Sequence, residues 1–189
     1  VDAAEEVSEG ADRVPSAGPD LRAALHAHAL AHLARYAASR QALRRVLLRR
    51  LRRLAPGLEA AAARAVLDAV LDRLAALRLI DDQALALARA DSLNRAGRSM
   101  RAIAQELAAR GIDRQARETA MRALVEDDPE AELAAAWRLA RRKRLGPFRA
   151  VEERAAARAA DLVTLRRAGF PAAIAREVVT ADPEDAPDP

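Results

Sequence analysis

One short phrase recurs three times in this chain: a capping residue, leucines at helical spacing, a basic end, then a fresh helix. The clearest copy is SMRAIAQELAARGID, from Ser99 to Asp113. SRQALRRVLLRRL, from Ser39 to Leu51, and AADLVTLRRAGFP, from Ala159 to Pro171, are looser copies. Aligning Ser39 with Ser99, a step of 60 residues, puts Leu43 on Ile103 and Leu47 on Leu107. Aligning Gly111 with Gly169, a step of 58, puts Leu107 on Leu165 and Ile112 on Phe170. Self-similarity at a near-constant period means like units stacked side by side, each unable to bury its apolar face alone. The expectation is an all-α, elongated array of three tandem three-helix repeats.

Composition narrows the chemistry. Aromatic residues make up only 2% of the chain, so the cores must be built from Leu, Ile, Val and Ala. Such a mixture favours helix. The absence of cysteine excludes disulfides and thiolate metal sites and fits a reducing, cytoplasmic compartment. No apolar run approaches the roughly 18 residues of a membrane span, so no membrane partner is expected.

The net charge of +4 hides a segregation. Residues 1–20 carry six acids and one base, and the stretch after Thr180 carries four acids and no base. Between Leu21 and Thr180 stand 31 bases against 18 acids, and every base but Lys143 is arginine. A cationic body flanked by acidic, proline-containing ends points to a polyanionic or acidic partner.

Helix signals divide the chain as follows. Residues 1–19 read as a disordered acidic segment. Repeat 1 spans 20–78: Asp20 caps a helix carrying Leu25, Ala29, Leu30 and Leu33. Ser39 caps a second with the stripe Leu43, Leu47, Leu51 and Leu54, broken by Ala55-Pro56-Gly57. A third carries Leu67, Leu71 and Leu74. Repeat 2 spans 79–127. Asp81 is its first N-cap with Asp82 in the positive first turn, Gly97 closes that helix, Ser99 caps the next, Gly111 stops it and Asp113 starts the last. Repeat 3 spans 128–180, with Asp128 as N-cap before Pro129 and stops at Gly146-Pro147 and Gly169. Residues 181–189 form a second acidic, disordered tail.

The segments YAASRQALRRVLLRRL, LDRLAALRLIDDQALALARA, LNRAGRSMRAIAQELAARGID and LRRAGFPAAIAREV resemble, in this order, the RecX family of bacterial recombination regulators. The most specific run, from LIDD to ARGID, holds Leu79, Asp81, Asp82, Ala88, Gly97, Ile103, Glu106, Leu107, Gly111 and Ile112 at the family's spacing. The resemblance implies tandem three-helix repeats that bind the RecA recombinase filament on single-stranded DNA along its groove. It also implies that the protein restrains ATP hydrolysis and strand exchange, without being an enzyme and without a cofactor. Many relatives place a Glu three residues after the capping serine; here Ala42 and Ala102 stand there, so each cap is expected to work through the serine alone.

The candidate partner- and DNA-binding residues are basic. Arg45, Arg49, Arg52 and Arg53 form a ribbon opposite the leucine stripe of their helix, suited to phosphates or acidic side chains. Arg138, Arg141, Arg142, Lys143 and Arg144 place five bases in seven residues, a density that calls for a neutralising partner. Arg95, Arg98 and Arg101 flank the Gly97 turn, and Arg110 precedes Gly111; by the resemblance these face the filament. Asp81 and Asp82 sit where capping explains them better than acid-base or metal chemistry. His26, His28 and His32 lack the acid or cysteine that would complete a metal set. Trp137 reads as a packing anchor. The alternatives to a filament-binding monomer are a sequence-indifferent nucleic-acid binder and a helical scaffold for other proteins. The scarcity of aromatics weighs against the nucleic-acid binder for single strands.

Overall fold

The computed structural model describes residues 18–182 and 184. Of the expected disordered acidic segments, 1–19 and 181–189, residues 1–17, 183 and 185–189 lie outside the described residues, and Pro19 belongs to a helix. Among the described residues the chain is all-helical, with nine α-helices and no strand. It divides into two compact units. The first holds residues 18–37 and 43–79, and the second holds 38–42 and 80 onward.

In the first unit, α1 (Pro19–Leu33) starts two residues earlier than the sequence predicts. Gly18 is the N-cap, Pro19 takes the first helical position, where its missing N–H costs nothing, and Asp20 lies in the first turn instead of capping. α2 (Arg40–Leu54) buries Leu43, Leu47 and Leu51, but Leu54 is exposed at the frayed end of the stripe. Leu30 is exposed as well, so α1 contributes only Leu25 and Ala29 to the core. α3 (Ala60–Ala76) is capped by Glu59, whose carboxylate accepts the N–H groups of Ala61 and Ala62. It supplies Val66, Leu67, Val70, Leu71 and Leu74. Leucine and valine at i, i+4 spacing thus build a thin aliphatic core without an aromatic ring.

The second unit contains α4 (Asp82–Arg95), α5 (Met100–Ala109), α6 (Arg114–Asp127), α7 (Ala131–Lys143), a 3-10 turn (Gly146–Phe148), α8 (Val151–Arg167) and α9 (Ala172–Thr180). Asp81, Ser99 and Asp113 cap as expected, accepting the N–H groups of Ala84, Ala102 and Ala116. Two separate cores form. Ala86, Ala90, Leu93, Ile103, Leu107, Ile112, Ala116 and Ala120 make one across α4–α6. Trp137, Leu139, Leu145, Leu165, Phe170 and Val178 lead the other, across α7–α9. Trp137 is buried and meets Phe148 edge to face, with ring centroids 6.1 Å apart.

Two details differ from expectation. Asp128 caps no helix: its carboxylate accepts the Glu130 N–H in a local turn, and α7 begins at Ala131. Pro129 fits that turn as readily as a helix start. At the other end of α7 the left-handed position falls on Arg144, φ 54°, before Gly146 is reached.

Candidate functional site

Ser39 and Ser99 do more than cap. Ser99 Oγ accepts the Ala102 N–H at 3.2 Å and donates to the Ala168 carbonyl, at the end of α8, at 2.7 Å. Ser39 Oγ repeats both bonds, accepting from Ala42 N–H at 3.1 Å and donating to the Arg110 carbonyl, at the end of α5, at 2.6 Å. One hydroxyl thereby satisfies an orphan donor at one helix start and an orphan acceptor at another helix end. The expectation that each cap works through the serine alone is corrected. A carboxylate from another helix joins each cap, on the N–H of the residue after the serine and not on the serine's own: Asp82 Oδ1 accepts the Arg40 N–H, and Glu132 Oε2 accepts the Met100 N–H, both at 2.7 Å. Burial pushes both carboxyls above their ordinary values, and the backbone N–H each accepts pulls partly against it.

The glycines complete this joint. Gly169 has φ 101°, and a Cβ there would stand 2.5 Å from Ser99 Oγ. A Cβ on Gly111 would collide with the Gln41 side chain. The spacings of 60 and 58 residues therefore mark a recurring physical object, in which a serine, a distant acid and a bare glycine lock two helix ends together.

On one side of the Ser99 joint lies a hollow of about 750 Å³ whose charged walls are all basic: Arg98, Arg101, Arg142, Lys143, Arg166 and Arg167. No acid lines it; Gln105 and Thr164 supply neutral polar groups. Arg142 Nη1 donates to the Ala96 carbonyl at 2.6 Å, covering the negative end of α4. The side chains of Arg98, Arg101, Lys143, Arg166 and Arg167 are exposed and make no hydrogen bond or ion pair among the described residues.

The structure thus sorts the sequence-predicted bases. Arg98, Arg101, Arg142 and Lys143 come together in the hollow. Arg138 is held in place by bonds of 3.2 Å to the Asn94 carbonyl and side-chain oxygen. Arg141 lies over the Phe148 ring, 5.2 Å from its centroid. Arg95 pairs with Asp91 one turn earlier. Arg110 pairs at 3.2 Å with Glu106, which Arg89 above all, and Arg110 with it, hold below the usual carboxylate range. Arg144 is exposed at its left-handed turn. In the first unit, Arg45, Arg49, Arg52 and Arg53 are all exposed along α2 without a partner among the described residues, whereas neighbouring Arg44 is spent on Asp68 at 2.5 Å.

Sequence reasoning missed Arg166 and Arg167, which were read as repeat phrase. The alignment held the signal: Gly169 on Gly111 places them on Ala108 and Ala109, so a basic pair replaces small apolar residues at one repeat only. It also missed Asp161, which is 1% exposed. Its carboxylate accepts the Gly146 N–H at 2.8 Å and two Arg149 N–H groups at 2.9 and 2.8 Å. Burial raises this carboxyl, but the Arg149 guanidinium and the Gly146 N–H outweigh it and leave the group below its ordinary value.

A joint repeated along an all-α chain defines a helical-repeat protein, here with a cationic hollow beside one joint. Residues 81–121 match the model of the RecX second three-helix domain, which covers α4, α5 and half of α6. The Regulatory protein RecX of Myxococcus xanthus (strain DK1622) is 37% identical over 128 residues, 67% of this chain and 67% of its own length. That of Agrobacterium fabrum is 36% identical over 112 residues, 59% of this chain and 58% of its own. The crystal structure of RecX from Lactobacillus salivarius superposes with a TM-score of 0.60 over 85% of this chain and 95% of that one, at 18% identity. The chain belongs to the RecX family of regulatory proteins.

Proposed function

We propose that this protein is a non-enzymatic regulator that binds the RecA recombinase filament on single-stranded DNA and restrains its ATPase and strand-exchange activity. In this reading the chain is a cytoplasmic monomer without a cofactor, built from repeats at 20–78, 79–127 and 128–180. Family membership supports the regulatory role. The observation that carries the surface assignment is the acid-free hollow of Arg98, Arg101, Arg142, Lys143, Arg166 and Arg167. Unpaired guanidiniums repel one another, and a protein holds them together at a cost in stability that a polyanionic or acidic partner offsets. The exposed α2 ribbon of Arg45, Arg49, Arg52 and Arg53 serves as a second contact, and modest contacts at two places on one long polymer reinforce each other. Arg95, Arg110 and Arg138 act in this scheme by shaping the surface, being already engaged.

The test is RecA ATP turnover on single-stranded DNA, titrated with this protein below stoichiometry. Suppression at concentrations that leave naked DNA unbound supports the proposal. The second reading, a sequence-indifferent nucleic-acid binder, draws on the same unpaired cations. Steeply salt-dependent binding to bare DNA with unchanged ATP turnover would favour it instead.

A further inference from the structure

The Ser39 joint and the Ser99 joint share their hydrogen bonds but not their charge. In the repeat alignment Arg98 and Arg101 correspond to Ala38 and Gln41, and Arg166 and Arg167 correspond to Ala108 and Ala109. The cationic hollow is therefore no by-product of the repeat: the four bases occupy positions where the Ser39 joint carries none, its own Arg40 and Arg110 standing where the Ser99 joint has Met100 and Ala168. From this juxtaposition we infer that the Arg98–Arg101–Lys143–Arg166–Arg167 hollow is a binding site for closely spaced phosphate groups, at least two held at once.

Three features point to phosphate. Its free cations are mostly arginines, whose planar forks grip two oxygens of a phosphate at a time. They stand on three separate helices and a turn: Arg98 before α5, Arg101 on α5, Lys143 at the end of α7, and Arg166 and Arg167 at the end of α8. Charge thus converges on the hollow from several sides, as a multiply charged ligand needs. Two helix-end carbonyls beside it are covered, the Ala96 oxygen by Arg142 and the Ala168 oxygen by Ser99. A volume of about 750 Å³ falls within the ordinary range of ligand sites, roughly 300–1,000 Å³. Its polar walls suit an anion better than an apolar ligand. The phosphates come from one of two sources: the backbone of a DNA strand, which rests on the function proposed above, or a free oligophosphate, which does not.

The experiment is calorimetric titration of the full chain with inorganic tripolyphosphate and, separately, orthophosphate. One tripolyphosphate should bind per chain, at least about tenfold more tightly than orthophosphate, because several charge-assisted bonds form together. The pairs Arg166→Gln/Arg167→Gln and Arg98→Gln/Arg101→Gln, drawn from different segments of the chain and checked for helicity, should each weaken it at least about tenfold. The pair Arg122→Gln/Arg158→Gln, which removes equal charge from exposed positions outside the hollow, should change it less than about twofold. Absence of saturable binding, or an equal loss in the last pair, overturns the site. Displacement of tripolyphosphate by oligothymidylate assigns the phosphates to a nucleic-acid strand; resistance to displacement assigns them to a free oligophosphate. Lost tripolyphosphate binding with unaltered suppression of RecA ATP turnover would keep the site while removing it from the proposed regulatory surface.

Discussion

Replacing Ser99 by Ala removes the oxygen that ties the start of α5 to the end of α8. Ser99 is fully buried, so water does not reach its place. Loss of the N-cap bond to Ala102 costs about 0.5–2 kcal/mol. The Ala168 carbonyl loses its donor, costing about 1 kcal/mol more because Ala168 is only half-buried. Together the loss is about 1.5–3 kcal/mol, or about 3–12 °C in melting temperature for a chain of this size. Trp137 is the only tryptophan and packs in the core of α7–α9, the helices beside this joint, so its fluorescence during urea unfolding reads the change directly. Gly169→Ala should also destabilise, through its φ of 101° and the 2.5 Å approach of a Cβ to Ser99 Oγ. In the Ser99→Ala background the collision is gone and only the backbone strain remains, so the two losses should be clearly less than additive. A loss below about 0.5 kcal/mol for Ser99→Ala, or strict additivity with Gly169→Ala, refutes the joint.

Further outcomes follow from the same contacts. Glu132→Gln keeps an oxygen for the Met100 N–H but removes a charge that burial disfavours. Because the folded carboxyl is raised, the native state binds its proton more tightly than the unfolded chain, and this group's contribution falls as pH rises through the folded value. Glu132→Gln should therefore gain stability relative to wild type at neutral pH and lose that advantage below the ordinary glutamate range; a pH series of urea melts checks this, and the opposite slope would refute it. Asp161 runs the other way: its lowered carboxyl contributes stability that is lost as pH falls through its folded value. Asp161→Ala, which strands Arg149 and the Gly146 N–H, should cost about 2–4 kcal/mol at neutral pH in the same assay. Arg144→Gly relieves a left-handed non-glycine residue and should stabilise by about 0.5–1 kcal/mol in thermal melts.

Much of the fold was legible because its signals are local. Asp81, Ser99 and Asp113 announce helix starts through side chains that reach only three residues along the chain. Leu43, Leu47, Ile103 and Leu107 are buried as their spacing demands. Where competing local structures lie close in energy, the reading slipped: Asp128-Pro129 suits a turn as well as a helix start, and Arg144 takes the left-handed position that composition assigns to glycine. What spacing could not reveal were long-range partners. Nothing near Ala102 indicates that Glu132, 30 residues away, completes its cap. Likewise, charge density singled out residues 138–144, yet Arg138 and Arg142 are occupied by α4. Two of the free cations beside them come from α8, whose Arg166 and Arg167 drew no notice within a repeat phrase.

Cosedimentation of the protein with RecA filaments preassembled on single-stranded DNA bears most directly on the regulatory surface. Saturable pelleting with the filament at salt concentrations that abolish pelleting with naked DNA, and its loss in the Arg98→Gln/Arg101→Gln/Arg166→Gln/Arg167→Gln variant, is the predicted result. A wild-type chain that stays in the supernatant, or one that pellets equally well with the four arginines removed, would contradict it.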